Sequence, residues 1–237
     1  MKFVPTIAAA GLLAAASTFA TQALAGVEIL DSTNGSSYSL LASGPSGTAA
    51  VYTGGTIGGL TLSVTDATSD SPGSPTQSDV VSTSLTITNN TGATHTLWLS
   101  FGDVGFTSPS APATLTSSIG GTVYDGSAAN VVDFTSYVDG SNGQNNTGGS
   151  AIASPTGTPS VTAVGSYNDT ETTAIGTLGT PYSMTELLEV TLGAGASVNF
   201  SASTTLTPAA VPEPISLTLL GTGLVGLGLI RRRRNRA

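Results

Sequence analysis

The feature that most constrains this chain is where its cations are. Lys2, Arg231, Arg232, Arg233, Arg234 and Arg236 are its only basic residues, so the stretch from Gly26 to Ala210 contains neither Lys nor Arg. Thirteen of the fourteen carboxylates fall inside that stretch. A nucleic-acid reader needs clustered Lys or Arg to displace counterions from phosphates, which excludes that class for the body. Binding to an anionic membrane surface is disfavoured for the same reason. Without Lys or Arg ion pairs, apolar burial and backbone hydrogen bonds must hold the body together. The chain also lacks cysteine, which removes disulfides and thiolate metal sites. A body of this length buries a core of its own without them.

Hydrophobic periodicity gives the fold class. Leu60, Leu62 and Val64 alternate with Thr61, Ser63 and Thr65, and Val81, Thr83, Leu85 and Ile87 alternate with Ser82, Ser84, Thr86 and Thr88. Leu97, Leu99 and Phe101 form a third track, Leu188, Val190 and Leu192 a fourth, and Val198, Phe200, Ala202 and Leu206 a fifth. A period of two means strands with one face buried and one wet. Breaks are expected at Ser71 to Pro75 and at Gly120-Gly121. Asn89-Asn90-Thr91-Gly92 and Gly193 to Ala196 are predicted to close hairpins. The whole predicts an all-β body, a β-sandwich of jelly-roll or Ig-like type. Residues 139–159, rich in Gly, Asn and Ser, are expected to form a long loop.

The two ends follow a different logic. Lys2, the apolar stretch Phe3 to Phe19 and the small-residue pattern Ala23-Leu24-Ala25 predict an N-terminal signal peptide over 1–25, with cleavage just before Gly26. At the other end Val211-Pro212-Glu213-Pro214 is stiff and extended, because proline fixes φ and turns the preceding residue away from helix. Residues 215–230 carry no charge, and five Arg follow within residues 231–236. As a single transmembrane helix the apolar run spans about 24 Å, short of a hydrocarbon core of about 30 Å. The arginines form a cytoplasmic stop cluster and leave the body outside.

Pro-Glu-Pro, a short apolar helix and a terminal Arg cluster, in that order, resemble the PEP-CTERM sorting signal. Tails of this kind also carry the name ice-binding protein C-terminal domain, which describes the tail. The resemblance covers residues 211–237. It implies a Gram-negative host, an inner-membrane intermediate, and processing near Pro212-Glu213-Pro214 by exosortase, a membrane protease-transpeptidase. It further implies delivery of the body to the cell surface or medium and an association with exopolysaccharide and biofilm matrix.

The inventory for chemistry is thin. His95 is the only histidine, and no G-x-S-x-G elbow accompanies the many serines. Two carboxylate pairs are close in sequence. Residues two apart on a strand share a face, so Asp169 and Glu171 converge whereas Glu186 and Glu189 do not. Asp66, Asp70 and Asp79 flank one loop and Asp133 and Asp139 another, but neither set has the spacing of a calcium loop. Trp98, opposite in sense to Leu97 and Leu99, either packs under a second layer or offers a stacking platform for sugar. The expectation is a non-enzymatic surface or matrix protein with no cofactor, no metal site and no nucleic-acid partner. Exosortase, the membrane before processing, and extracellular polysaccharide are its expected partners. The alternative is a carbohydrate- or ice-binding module, the latter using a hydroxyl array from Thr61, Ser63 and Thr65 with Ser84, Thr86 and Thr88.

Overall fold

The computed structural model describes residues 26–124, 130–147, 151–153, 164–210 and 222, with the side chains of Leu85 and 151–153 left aside. The predicted signal peptide with Ala23 and Ala25, and the tail from Val211 through the arginines, lie outside the described residues. Among the described residues no helix is long and apolar enough to cross a membrane.

The body is built of strands. They are β1 (Val27–Ser32), β2 (Ser39–Gly44), β3 (Ala49–Tyr52), β4 (Gly55–Ile57) and β5 (Leu60–Leu62). Next come β6 (Thr65–Ser69), β7 (Ser78–Asn89), β8 (His95–Phe106), β9 (Ala113–Val123) and β10 (Val131–Asp139). The last are β11 (Ala151–Ala153), β12 (Gly165–Ile175), β13 (Tyr182–Leu192) and β14 (Ser197–Pro208). One antiparallel sheet has the order β11-β10-β13-β8-β1-β2, and the other β12-β9-β14-β7-β5-β4, with β6 joining β3 to β7. The chain is therefore all-β with two antiparallel sheets, as the periodicity predicts.

The sheets face each other across a shared core. Leu97, Leu99, Phe101, Leu188, Val190 and Leu192 come from the first sheet and meet Ile87, Ile119, Val123, Val198, Phe200 and Ala202 of the second. The rings of Phe101 and Phe200 meet with centroids 5.9 Å apart. Burying each such side chain stabilises the fold by roughly 1.5–3 kcal/mol before entropy is counted. No ion pair with Lys or Arg is possible here, so this burial carries the fold.

Four local expectations are corrected. Asn89 to Gly92 joins β7 of one sheet to β8 of the other, and Gly193 to Ala196 joins β13 to β14 in the same way. Both are arches over the end of the sandwich rather than hairpins. Turn residues set the reversal, whereas the flanking strands choose partners by burial, and β8 pairs with β1 and β13 while β7 pairs with β14. Asn89 is fully buried where the arches meet, and its Nδ2 donates to the carbonyls of Ala93 (2.7 Å), Leu192 (2.8 Å) and Gly193 (3.0 Å). Gly120-Gly121 does not break the chain but lies inside β9, where a Cβ on Gly121 would stand 2.5 Å from the Tyr167 hydroxyl. Along β7 the first half turns Val80, Ser82 and Ser84 inward, not Val81 and Thr83. A register irregularity opposite Val198 and Phe200 then resets the alternation so that Ile87 also faces the core. Within 139–159, Ala151–Ala153 forms a short strand on β10.

Candidate functional site

The interior holds one unexpected feature. Four strands each interrupt an apolar inward track with a polar residue at one level, and β7 adds inward serines that start one inward position away, Ser82 lying opposite Ala202. On β10 the run is Phe134, Ser136, Val138, on β13 Leu188, Glu186, Met184, and on β14 Ala202, Thr204, Leu206. On β9 it is Ile119, Ser117, Leu115, and β7 contributes Ser82 and Ser84 between Ile87 and Val80. Register explains the alignment, since Ser136 pairs with Glu186 and Ser117 with Thr204. The result is a polar layer dividing the core into two apolar clusters.

The layer is wired across the sandwich. Ser117 and Ser136 share a hydrogen bond of 2.6 Å, and Ser136 and Thr204 another of 2.6 Å. Ser82 Oγ donates to Glu186 Oε2, while Glu186 Oε1 is buried without a partner. Burial pushes the Glu186 carboxyl up to about 8, against the smaller opposing pull of Ser82 and Thr204. A buried carboxyl with a raised pKa is the usual mark of a proton-transfer site. Here Glu186 is 0 % exposed, so substrate has no access and its role is to join the sheets.

The outer face of the first sheet is more open to a ligand. Glu189 of β13 pairs with Asp133 of β10 and Trp98 of β8, all outward. In the next row Leu187 pairs with Thr135 and Ser100, and Tyr137 stands beyond Thr135 on β10. Two loops flank this face. On one side Gly35 (φ 69°) rests on Trp98, and an added Cβ there would lie 3.1 Å from the indole Cε2. Trp98 is half-buried under this loop and is not a free platform. The loop is tied by Ser32 Oγ, which accepts from the Gly35 amide at 3.0 Å, and by Asn34 Oδ1, which accepts from the Ser36 and Ser37 amides at 2.9 Å each. At its end burial raises the pKa of the Tyr38 phenol, and the Glu189 carboxylate adds to the rise.

On the other side the loop after β10 bends back over the sheet. Asn145 Nδ2 donates to Glu28 Oε2 at 2.9 Å, and Ser100 Oγ donates to Asn145 Oδ1 at 3.1 Å. Asp139 organises the turn by accepting from the Ser141 amide (2.8 Å), Ser141 Oγ (2.6 Å), the Gly143 amide (3.1 Å) and Asn146 Nδ2 (2.5 Å). Burial pushes the Asp139 carboxyl up, but these donors together overcome it and hold it at about 2.

The outer face of the second sheet is hydroxyl-rich instead. Thr172, Thr116 and Thr205 form one cross-strand row, and Thr170, Ser118 and Ser203 the next. The hydroxyl array expected from β5 to β7 is broken, because Thr65 and Ser84 turn inward and bond each other at 3.0 Å.

The other candidates disperse. Among the described residues His95 has no hydrogen bond to a serine or carboxylate, and its imidazole abuts Gly59. Asp169 and Glu171 share one face of the edge strand β12, as expected, while Glu186 faces in and Glu189 out. Asp70 Oδ1 accepts from the Asp79 amide, Asp79 Oδ2 accepts from Gln77, and Asp66 is taken by Thr83. Among the described residues no group of three or more His, Cys, Asp or Glu is placed to hold a metal ion. The polar layer was present in the sequence as single polar residues on apolar period-two tracks, but their alignment across β9, β10, β13 and β14 needed the register.

These features define an all-β body, free of cations, that meets its surroundings through two polar sheet faces. Residues 210–234 match the family model for the PEP-CTERM protein-sorting motif, so the chain carries that sorting signal. The motif marks a secreted protein that is exported through the membrane and handled by an exosortase, itself a membrane protein. No curated protein matches the chain. Among solved structures it is similar to that of the infectious bursal disease virus Gx strain, at 16 % identity and TM-score 0.33, over 65 % of this chain and 35 % of that one. The chain thus spans about a third of that viral structure's length. It is also similar to TmCBM61 in complex with beta-1,4-galactotriose, at 10 % identity and TM-score 0.27, over 60 % of this chain and 86 % of that one.

Proposed function

We propose that this is a non-catalytic protein of the extracellular polysaccharide matrix, delivered by its sorting tail and freed or transferred when the tail is cut near Pro212-Glu213-Pro214. The sorting motif at 210–234 is the observation that carries the reading. Two features of the body agree with it. Its acid-only charge keeps it soluble and away from anionic membrane surfaces. Its outer faces present hydroxyls and tyrosines, which suit contact with hydrated polymers. The buried Glu186 carboxyl, with its raised pKa, is sealed from substrate, and among the described residues His95 bonds no serine or carboxylate.

The test is the intact mass of the protein recovered from culture medium and from the envelope. A mass ending near residues 211–214 is expected, beginning at Gly26. Material that keeps its arginine terminus as the sole species would overturn the sorting step. Retention of the body with extracted exopolysaccharide is expected from wild-type cells and not from cells lacking the polymer. Equal retention in both would remove the matrix assignment.

A further inference from the structure

We propose that the end of the sandwich from which the sorting tail leaves is a docking face for the exosortase, and that the folded body rests against that enzyme while the tail is cut. This face rests on the sorting reading above, and it adds to it the surface that meets the enzyme and the state in which the body is processed.

The short length of chain between fold and motif carries the docking. β14 is an inner strand of its sheet, paired with β9 and β7, and its ladder runs on to Pro208 opposite Ala113. The Ala209 amide then donates to the Pro112 carbonyl at 2.9 Å. The matched sorting motif begins at residue 210, and Pro212 is three residues beyond Ala209. Three residues reach at most about 11 Å when fully extended. That is about the width of one helix with its side chains. An enzyme that closes on Pro212-Glu213-Pro214 therefore cannot stand clear of the body. Unzipping β14 gives little more room, because Leu206 is fully buried in the second apolar cluster and Thr204 is bonded into the polar layer.

The surface at this end differs from the rest. Among the described residues every proline lies there: Pro45, Pro72, Pro75, Pro112, Pro181 and Pro208 are exposed, and Pro109 is buried. The loops of the far end, 33–38, 90–94 and 193–196, contain none. Proline fixes φ and has no N–H, so the surface is stiff and poor in donors. In the segments that form it, 45–48, 70–77, 107–112 and 176–181, Asp70 is the only charged residue. The acidity of the body is thus directed elsewhere, which suits an interface, since interface centres are depleted of charge and an unpaired buried charge is costly.

These segments are also fixed against one another. The Pro72 carbonyl accepts from the amides of Thr107 (2.9 Å) and Ser108 (3.3 Å), and the Tyr182 hydroxyl donates to the Ser108 carbonyl at 2.7 Å. A Cβ on Gly47 would lie 2.1 Å from the Ser71 carbonyl oxygen, and one on Gly73 2.1 Å from that of Ser108, so the turn and both loops are in contact. A surface ordered in advance loses little freedom when a partner settles on it.

The experiment follows cleavage of the full chain in its native host by pulse-chase, reading the half-life of the uncut form. Ser110→Asp with Thr177→Asp puts charge beside the root of the tail. Both residues are exposed; Ser110 lies two residues before Pro112, and Thr177 two beyond Ile175, which shares a row with Ala113 and Pro208. This variant should be cut at least about ten-fold more slowly, since its charges are trapped unpaired in the interface, while the processed protein recovered from it melts as wild type does. Ser37→Asp with Ala194→Asp, exposed at the far end, should be cut at the wild-type rate. A flexible Gly-Ser spacer of about ten residues between Ala210 and Val211 should make wild type and the near-end variant equal, and should cut wild type no faster. An unchanged rate in the near-end variant, equal slowing by the far-end one, or a difference that survives the spacer would each overturn the docking. Faster cutting of wild type with the spacer would overturn it as well, because the body would then obstruct the enzyme. Processed protein that floats with phosphatidylglycerol vesicles, and stops doing so in the near-end variant, would assign the face to lipid instead. Wild type that is never cut removes the sorting reading and this face with it, whereas normal cutting indifferent to the substitutions removes the face alone.

Discussion

Glu186 should make the body lose stability as pH rises. Its carboxyl is buried in the polar layer, where Ser82 donates to Oε2 and Thr204 lies close by. In the unfolded chain it titrates near the ordinary value of 4.5, and in the folded protein burial raises it to about 8. The folded state therefore binds this proton more tightly. The stabilisation is complete below pH 4.5, declines as pH rises, and is gone once pH has passed through about 8. At about 1.4 kcal/mol per pH unit the difference amounts to ~5 kcal/mol. Domains of this kind are stable by roughly 5–15 kcal/mol in all. At roughly 2–4 °C per kcal/mol, the melting temperature should fall by about 10–20 °C between pH 4.5 and 8.

Glu186→Gln keeps the shape and the acceptor oxygen but cannot ionise. Urea melts followed by Trp98 fluorescence at intervals from pH 5 to 8 should show a steep decline for wild type and a nearly flat line for the variant, which becomes the more stable protein at pH 8. Glu28, Asp31 and Asp70 are raised mainly by burial as well, so a shallow slope of the same sign persists in the variant. If the variant retains the full wild-type slope, or if wild type is flat over this range, the account of the layer is wrong.

Three further outcomes follow from single positions. Asn89→Ala leaves the carbonyls of Leu192 and Gly193 buried without their donor and unties the two arches, so a loss of about 2–4 kcal/mol is expected in equilibrium denaturation. Gly59→Ala adds a Cβ 2.5 Å from the His95 ring at φ 89°, and should cost roughly 1–3 kcal/mol by thermal melt. Asp139 has the opposite pH sense to Glu186: its folded value of about 2 lies below the ordinary 3.8, so its contribution is present above 3.8 and lost as pH falls through about 2. It amounts to at most about 2 kcal/mol, reduced by whatever solvent screens these donors, and Asp139→Asn should remove that part of the acid unfolding limb.

Parts of the site were legible without coordinates and parts were not. Placing Glu186 and Glu189 on opposite faces needed only strand periodicity, and the structure bears it out. That Trp98 would serve as support rather than platform needed the Gly35 loop seated on it.

By itself, the order of residues determined the all-β class, the inward faces of β8, β13 and β14, and the sorting motif. Each of these depends on local alternation or on a linear signal, and such information survives without contacts. Tertiary structure decided which strands share a sheet, that both predicted hairpins are arches, and that β7 turns its serines inward. It also set Ser117, Ser136, Glu186 and Thr204 at one level in the core, with Ser82 bonded to Glu186 from the next inward position. Those outcomes are pairings between segments far apart in the chain, chosen by the burial and hydrogen bonding they gain together, and no single segment carries that sum.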